Sequence, residues 1–417
     1  MLAWIDCTAL NNKHKIWGMT ILERIIRILA SSNITKVFLP LGKNEESLWF
    51  RKDFKRSFQI DIEFTGNEKS MYDSLKTIFK ENPNELVMLI QGEVLYDHRI
   101  IEKLKNHTNP LGIYDSESDI FSGALVIDKT VFEELHINQT DNIETIYKKS
   151  ISLQIIEWNN TESMDKYILK LRATLKPYMI RLKSEKDIDK AEKYLYNSVY
   201  KGVTDIMVKY VYKFPARIIT SMLSKTTITP NNVTFLSSLF AFISIPLYAT
   251  GYMGFGLLVC YIHSLLDVVD GKLARLTYRI SNTGNILDHG SDWISLPLWV
   301  SAIGWHLSDS LFSGEFFIYS ILFIIAYIVN RLVFWLFLRV QKKPLGDFRK
   351  LDRYIRLFPG ARKQASLVIL LIGYFLNMNE LFFKILVIFT ILSSIFYIIR
   401  FLQFMPLALE NRKRELI

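Results

Sequence analysis

The chain has few cysteines: two in 417 residues, Cys7 and Cys260, which lie in very different sequence contexts. Such a pair excludes a disulfide framework and fits a reducing compartment. The segment Met1 to Lys15 lacks the long apolar core of a secretory signal peptide. We therefore expect the N-terminal half to stay in the cytoplasm.

Apolar residues are abundant, at 50% of the chain, and they concentrate in the C-terminal half. Segments near the ~20 residues that a bilayer core requires predict six membrane spans, at approximately 232–251, 253–275, 285–306, 315–340, 364–378 and 380–404. Basic residues are concentrated between Arg339 and Lys363 and in the C-terminal tail. Because positive charge favours the cytoplasmic side, we expect an integral protein of the cytoplasmic (inner) membrane with both termini in the cytoplasm.

The formal net charge of +10 raises the question of nucleic-acid binding. Much of the basic excess in the C-terminal half, however, clusters in loops that flank the predicted spans. Anionic lipid headgroups and anionic substrates are therefore the predicted partners, and nucleic acid is not.

Four carboxylates interrupt the apolar half: Asp267, Asp270, Asp288 and Asp292, at spacings of three, eighteen and four. Each close pair shares one helix face, and two antiparallel helices joined near residues 279–282 would bring the faces together. Ionisable groups at membrane depth are expensive, so four of one sign require a compensating cation. Hard oxygen ligands predict Mg²⁺ or Mn²⁺.

This stretch resembles the signature of the CDP-alcohol phosphotransferase family, which is D-x₂-D-G-x₂-A-R, eight residues, then G-x₃-D-x₃-D. Every fixed position is filled, by Asp267, Asp270, Gly271, Ala274, Arg275, Gly284, Asp288 and Asp292. The resemblance covers roughly residues 200 to 405. It implies transfer of a substituted phosphate group from a CDP-linked donor to an acceptor hydroxyl, with release of CMP. Relatives commonly form homodimers, and we expect one here.

The resemblance also implies roles for the acids. Asp267, Asp270 and Asp288 are expected to hold two metal ions that bridge the donor diphosphate, and Asp292 to share that duty. Asp292 is also the expected general base, which must lie within hydrogen-bond reach of the acceptor hydroxyl.

The remaining motif residues are predicted to surround the nucleotide. Gly271 and Gly284 remove side chains where backbone approaches it, although helix packing is the commoner use of glycine in membrane helices. Ala274 keeps the same face narrow, and Arg275 offers a planar fork to phosphate.

Upstream, Thr229-Pro-Asn-Asn-Val-Thr234 is similar to a P-N-x-x-T segment of the same family. Asn231 or Thr234 is predicted to contact the cytidine, and capping of the helix by Thr229 is an equal alternative. Residues 203–224 predict an interfacial amphipathic helix broken near Pro215.

Cationic side chains predict the acceptor pocket. Arg331 interrupts the fourth span, and Arg353 and Arg356 lie just outside the membrane. A polyol phosphate would suit such a pocket. For the two loop arginines, positive-inside topology is the stronger alternative.

Residues 1 to about 165 alternate apolar runs with helical patterns, which predicts an α/β domain with a mainly parallel sheet. Strands are expected at Leu2–Cys7, Lys36–Leu41, Ile60–Phe64, Leu86–Gln91 and Gly123–Ile127, and helices at Thr20–Ala30, Met71–Phe79 and His98–Asn106.

Two segments of this domain, from Gly18 and from Ser122, resemble sugar-phosphate nucleotidyltransferases. The departures are larger, since residues 8–17 contain no glycine for a phosphate loop, Glu93 replaces a metal-binding Asp, and Asn159 and Asn160 occupy a late acidic position. We therefore predict a degenerate Rossmann-like domain that supports stability, assembly or partner docking.

The predicted organisation is a cytoplasmic nucleotidyltransferase-like domain at 1–165, a linker helix and interfacial helix at 166–230, a six-span CDP-alcohol phosphotransferase domain at 231–405 and a basic tail at 406–417. Di-myo-inositol-phosphate-phosphate synthases share this layout, so the donor is expected to be CDP-diacylglycerol or a CDP-polyol. The main alternative is a bifunctional enzyme whose front half also makes the CDP-polyol, using Glu93 with Lys13 or Lys15. A membrane scaffold and a proton-relaying transporter are weaker alternatives.

Overall fold

The computed structural model describes residues 1–10, 14–51, 54, 60–66, 70–115, 122–168, 171, 173–182, 184–201, 205–308, 314–341, 352, 355 and 359–414. Within these ranges, an α/β half is followed by a helical half. The α/β and helical classes predicted from the sequence are both confirmed.

The first half is built on a seven-stranded mixed sheet in the order β10-β8-β9-β6-β1-β4-β5. The strands of this half are β1 (Leu2–Asp6), β2 (Lys15–Ile16), β3 (Met19–Thr20), β4 (Lys36–Leu39), β5 (Asp61–Phe64), β6 (Val87–Gln91), β7 (Val94–Tyr96), β8 (Leu111–Asp115), β9 (Ser122–Ile127), β10 (Glu157–Asn160), β11 (Tyr167–Ile168), β12 (Ala173–Thr174) and β13 (Met179–Arg181). β1 pairs in parallel with β4 and β6, whereas β9 runs antiparallel to β6 and β8. The five strands expected from the sequence are confirmed.

Helices cover both faces of the sheet: α1 (Ile21–Ser31), α2 (Glu46–Trp49), α3 (Met71–Glu81), α4 (His98–Lys105), α5 (Lys129–Glu134), α6 (Ile143–Leu153) and α7 (Glu185–Ser198). Alternate residues of β1 enter different cores, with Ala3 and Ile5 on the α1 side and Leu2 and Trp4 on the other. A strand buried on both faces reads as a continuous apolar run, which is why β1 was predictable.

The second half consists of helices α8 (Lys213–Ser224), α9 (Pro230–Ala249), α10 (Met253–Thr277), α11 (Asn282–Ser308), α12 (Glu315–Gln341), α13 (Lys363–Phe375) and α14 (Asn379–Arg414). Pro230 occupies the first turn of α9, and Thr229 and Asn232 form a capping box there. Trp299 Nε1 of α11 donates to the Ala241 carbonyl of α9 at 2.8 Å, which ties these two helices together.

Four of the described helices are long and apolar enough to cross a membrane: Pro230–Ala249, Met253–Thr277, Glu315–Arg339 and Asn379–Pro406. Large apolar side chains on their outer faces are exposed, as Phe255 and Leu392 illustrate. Such faces require lipid, so the protein is an integral membrane protein. α11 and α13 lie where the other two spans were expected, but α13 is short and α11 carries polar residues in its first half. Six spans therefore remain a prediction.

α8 has two contrasting faces. Phe214, Ile218 and Met222 are exposed, while the smaller Ala216 and Thr220 are buried. A π-helical turn at Met207–Val211 precedes it, and Pro215 lies in its first turn. The predicted interruption of an amphipathic helix near Pro215 is thus present, one turn earlier in the chain.

Candidate active site

α10 and α11 present the acidic motif from both sides of a tight connection. α10 ends at Thr277, where Tyr278 adopts a left-handed conformation with φ of 52°, and α11 begins at Asn282. A left-handed residue closes the helix by turning the chain back on itself. The predicted connection near residues 279–282 is confirmed, so the two halves of the motif face each other.

Three of the four acids meet at this place. Asp267 on α10 and Asp288 and Asp292 on α11 each bring one carboxylate oxygen within 4.8 Å of the others. All three side chains are partly buried. We call this group the carboxylate cluster.

Asp270 is placed differently. Among the described residues, the group of acids close enough to share one ion omits it. Its Oδ2 instead lies 2.6 Å from the Thr234 hydroxyl of α9, which donates to it. Both side chains are buried. Thr234, predicted as a cytidine contact, is therefore at the acidic motif, where it orients the most buried acid.

Lys363, at the start of α13, was not predicted as a site residue. Its Nζ lies 2.9 Å from Asp267 Oδ1 and 2.6 Å from Asp292 Oδ1. The side chain is only 6% exposed, so this ammonium neutralises carboxylates inside the protein. In the sequence, Lys363 ends a run of basic loop residues, and its charge was attributed to membrane topology.

His263 on α10 completes the environment of that lysine. Lys363 Nζ lies 3.3 Å from His263 Nε2, and His263 Nδ1 lies 2.9 Å from the Ser237 carbonyl. An ammonium only donates, so Nε2 is the acceptor and Nδ1 carries the proton. Asp267, Asp292 and His263 thus supply one acceptor for each of the three N–H groups of Lys363.

The carboxylate cluster fits a divalent metal by its donor set. Three carboxylate oxygens from two helices converge, and such hard ligands suit Mg²⁺ or Mn²⁺. Lys363 supplies a positive charge to two of the same acids. Asp267, Asp288 and Asp292 are the residues that would hold the ion.

The small motif residues make room for polar side chains. A Cβ at Gly271 would lie 3.2 Å from Arg275 Nη1, and a Cβ at Gly284 would collide with Asn231. The Ser281 hydroxyl donates to Asn231 Oδ1 at 2.8 Å, which holds the amide beside Gly284. Both glycines thus serve side-chain packing in this structure.

Arg275 is anchored from outside the motif. Its Nε donates to the Val199 carbonyl, just after α7, at 3.0 Å. The carbonyl of Ala274 beside it accepts the amide of Arg279 at 3.0 Å, which closes the last turn of α10. The phosphate contact predicted for Arg275 therefore depends on a guanidinium that the linker holds in place.

Of the predicted acceptor residues, Arg331 lies near the cluster. Its guanidinium carbon lies 5.0 Å from the centre of the Tyr327 ring, and the Tyr327 hydroxyl donates to the Asp292 carbonyl at 3.2 Å. Arg353 and Arg356 lie outside the described residues.

In the first half of the chain, which is predicted to be cytoplasmic and which we call the soluble half, the residues predicted to stand in place of a nucleotidyltransferase site lie at the ends of β1 and β6. Glu93 pairs with Arg181 at 2.6 Å and is buried. A Cβ on Gly92 would collide with the Asp6 carbonyl and the Leu10 side chain. An apolar side chain thus packs against the loop beside Glu93. Lys15 lies on β2, and Lys13 lies outside the described residues.

For the CMP release that the family resemblance implies, we expect Thr234→Val to lower the rate about ten- to hundredfold, because it removes a hydrogen bond to a buried carboxylate without changing the side-chain shape. Steady-state rates of the purified protein measure the change. Ser238→Ala is the matched control, since its buried hydroxyl donates to the Thr234 carbonyl on the same helix. Equal rates for the two variants would show that the Asp270 contact is dispensable.

One family profile matches most of the helical half of the chain. The profile of the CDP-alcohol phosphatidyltransferase family matches residues 227–399, which run from the cap of α9 into α14 and include the whole acidic motif. Residues 227–399 are thus similar to a CDP-alcohol phosphatidyltransferase domain.

A curated relative shares part of the sequence. The chain is 34% identical over 126 residues to a bifunctional IPC transferase and DIPP synthase of Aquifex aeolicus. The match covers 30% of this chain and 29% of that protein.

Two solved structures align with 46% of this chain. A Bacillus anthracis protein described as a glucose-1-phosphate thymidylyltransferase aligns over 94% of its length with 11% identity and a TM-score of 0.35. The 4-diphosphocytidyl-2C-methyl-D-erythritolsynthase of Anaerococcus prevotii aligns over 97% of its length with 15% identity and a TM-score of 0.33. The α/β assignment of the first half rests on its own sheet and not on these alignments.

Proposed function

We propose that this protein is a metal-dependent CDP-alcohol phosphotransferase. It transfers a substituted phosphate group from a CDP-linked donor to an acceptor hydroxyl and releases CMP. The observation that carries the proposal is the convergence of Asp267, Asp288 and Asp292 within 4.8 Å, inside a domain of this family. Buried carboxylates of one sign are costly in a scaffold and serve no purpose there.

The reaction forms one bond and breaks one. The acceptor hydroxyl oxygen attacks the β-phosphorus, and the oxygen bridging the two phosphates leaves with CMP. Asp292, which is partly exposed and lies one turn beyond Asp288 on α11, takes the hydroxyl proton, the role that the family resemblance implies for it. Asp267, Asp288 and Asp292 would hold a divalent cation, which would neutralise the charge that develops on the diphosphate.

Other residues bind and orient the substrates. Arg275 contacts donor phosphate with the guanidinium edge that the Val199 carbonyl leaves free, and Asn231 lies beside the cytidine. Lys363 keeps Asp292 in place, and Arg331 attracts the acceptor. Thr234 orients Asp270, which would be a ligand of a second ion. The roles of Arg275, Asn231 and Arg331 follow the sequence predictions, whereas those of Lys363 and Thr234 follow from their contacts in the structure.

We further propose that the site opens to the cytoplasm and that both termini lie on that side. The basic residues between Arg339 and Lys363 would belong to the same side of the membrane. We also propose that the protein acts as a homodimer. The donor is CDP-diacylglycerol or a CDP-polyol, and the acceptor is a polyol or polyol phosphate. Similarity to the bifunctional IPC transferase and DIPP synthase of Aquifex aeolicus favours polyol substrates.

CMP release by the purified protein tests the proposal. CDP-diacylglycerol, CDP-inositol and CDP-glycerol are each offered with inositol, inositol phosphate or glycerol phosphate, with Mg²⁺ or with a chelator. We expect one donor and acceptor pair to release CMP only when metal is present. Failure of every pair in this panel would count against the proposal.

For the soluble half, we propose a non-catalytic role. The full-length protein supplied with CTP, Mg²⁺ and inositol phosphate or glycerol phosphate should form no pyrophosphate, because Glu93 is paired with Arg181 and Leu10 packs on Gly92. Pyrophosphate release that disappears in Glu93→Gln would establish the bifunctional alternative instead. That variant keeps the size of the side chain and leaves the membrane half unchanged.

A further inference from the structure

Helix ends that meet the soluble half are held by its arginines. Arg24 Nη1 on α1 donates to the Leu276 carbonyl at 2.9 Å, and Arg27 Nη1 donates to the Thr277 carbonyl at 2.8 Å. These carbonyls belong to the last turn of α10, where backbone acceptors have no partner within the helix. A guanidinium there also complements the negative end of the helix dipole.

A third arginine makes the same kind of contact with the neighbouring helix. Arg51 Nη1 and Nη2 donate to the Ser224 and Thr226 carbonyls, at 2.6 and 2.7 Å, at the end of α8. Gly18 allows the approach, since a Cβ there would collide with the Ser224 carbonyl. Two membrane-side helices thus end on the same soluble domain.

The arginines are built into the domain rather than lying on its surface. Arg24 and Arg27 are 1% and 0% exposed. Arg27 is ion-paired with Glu23, whose other carboxylate oxygen accepts the Arg51 amide at 3.0 Å. Burial lowers the pKa of Arg27 to about 10, so the guanidinium remains charged at neutral pH.

The contact surface is continuous with the soluble core. Leu276 belongs to the buried cluster around α1, and the Arg24 guanidinium carbon lies 5.1 Å from the centre of the Tyr278 ring. One turn earlier on α10, Lys272 Nζ donates to the Tyr196 hydroxyl of α7 at 2.8 Å. The helix that carries Asp267, Asp270 and Arg275 is therefore held by the soluble half in two successive turns.

We propose that the soluble half is a positioning unit for α10. Arg24 and Arg27 fix the last turn of that helix and so set the position of Arg275, which lies one residue before Leu276. The expected kinetic effect rests on the proposed function. If Arg275 binds the CDP-linked donor, donor binding depends on contacts that the soluble half makes with α10. The two arginines are positioning residues and touch no substrate.

The full-length protein tests the proposal through Arg27→Ala, Arg27→Lys and the double variant Arg24→Ala/Arg27→Ala. Arg99→Ala is the matched control, since Arg99 donates to the Asp165 and Leu175 carbonyls inside the soluble half and not to a carbonyl of α10. Two quantities are measured: amide hydrogen exchange of residues 274–280 without substrate, and kcat and donor KM for CMP release.

We expect Arg27→Ala to speed exchange of residues 274–280 at least tenfold and to raise donor KM about ten- to hundredfold, with a smaller change in kcat. The double variant should exceed this, and Arg27→Lys should restore part of both values, because an ammonium still donates to a carbonyl. Arg99→Ala should leave both quantities at the wild-type level.

Unchanged exchange of residues 274–280 in the double variant would overturn the proposal. An equal rise of donor KM in Arg99→Ala would also overturn it, because the effect would then be general damage to the soluble half. If the wild-type protein releases no CMP, the proposed function fails, and the exchange measurement alone still decides whether the arginines fix α10.

Discussion

Asp292→Asn should lower kcat for CMP release by about 10²–10⁴-fold, the range that a positioned general base contributes. The substitution preserves side-chain size and keeps an oxygen that can accept from Lys363 Nζ, now 2.6 Å from Asp292 Oδ1. The loss should therefore come from chemistry and not from collapse of the site. Thermal unfolding of the same preparation, compared with the wild type, verifies that the variant is folded.

Glu315→Gln is the control for this experiment. Glu315 is also a carboxylate of the membrane half and pairs with Lys384 at 2.7 Å. α11 extends about 24 Å from Asp292 to its last residue, Ser308, and Glu315 follows that helix in the chain. Removal of the Glu315 charge should therefore leave kcat unchanged. Full activity in Asp292→Asn would exclude this residue as the base. It would also favour the alternative in which the membrane half is a non-catalytic scaffold.

Lys363→Met should destabilise the metal-free protein by about 3–5 kcal/mol, the usual consequence of removing one partner from a buried ion pair. Asp267 and Asp292 would lose the ammonium that lies 2.9 and 2.6 Å from their oxygens. Mg²⁺ should then stabilise the variant more than it stabilises the wild type, because the metal would supply the missing positive charge. Tm in chelator and in Mg²⁺ measures both effects.

Lys384→Met, at the opposite end of the helices, is the matched control. Its ammonium pairs with an exposed carboxylate, and exposed pairs contribute little. Its Tm should be near that of the wild type with and without Mg²⁺. If Lys363→Met also retains the wild-type Tm in chelator, the lysine does not neutralise the cluster.

The sequence was most informative where residues at regular spacing are also costly to bury. Carboxylates in an apolar region at helical spacing predicted the two facing helices, and the structure brings Asp267, Asp288 and Asp292 together as expected. Continuous apolar runs likewise predicted β1 and β6. These features are local, so a single segment contains enough information to predict them.

Contacts between distant segments could not be derived in this way. Lys363 is 71 residues from Asp292, and nothing near it in the chain distinguishes it from the other basic loop residues. Arg24 contacts a carbonyl 252 residues away. Its place in an apolar helix was visible, but the helix end that it would meet was not. Asp270 shows the same limit, since its hydrogen bond to Thr234, 36 residues earlier in the chain, could not be derived from the spacing of the motif.

The central claim is that a phosphodiester and CMP arise together at the carboxylate cluster. Phosphorus-31 NMR of the reaction with Mg²⁺ tests this most directly, because it follows both phosphorus atoms of the donor. The account predicts one CMP and one new phosphodiester for each donor consumed, and neither product in Asp292→Asn or in chelator. Appearance of pyrophosphate, or of CMP with a phosphomonoester and no phosphodiester, would contradict it.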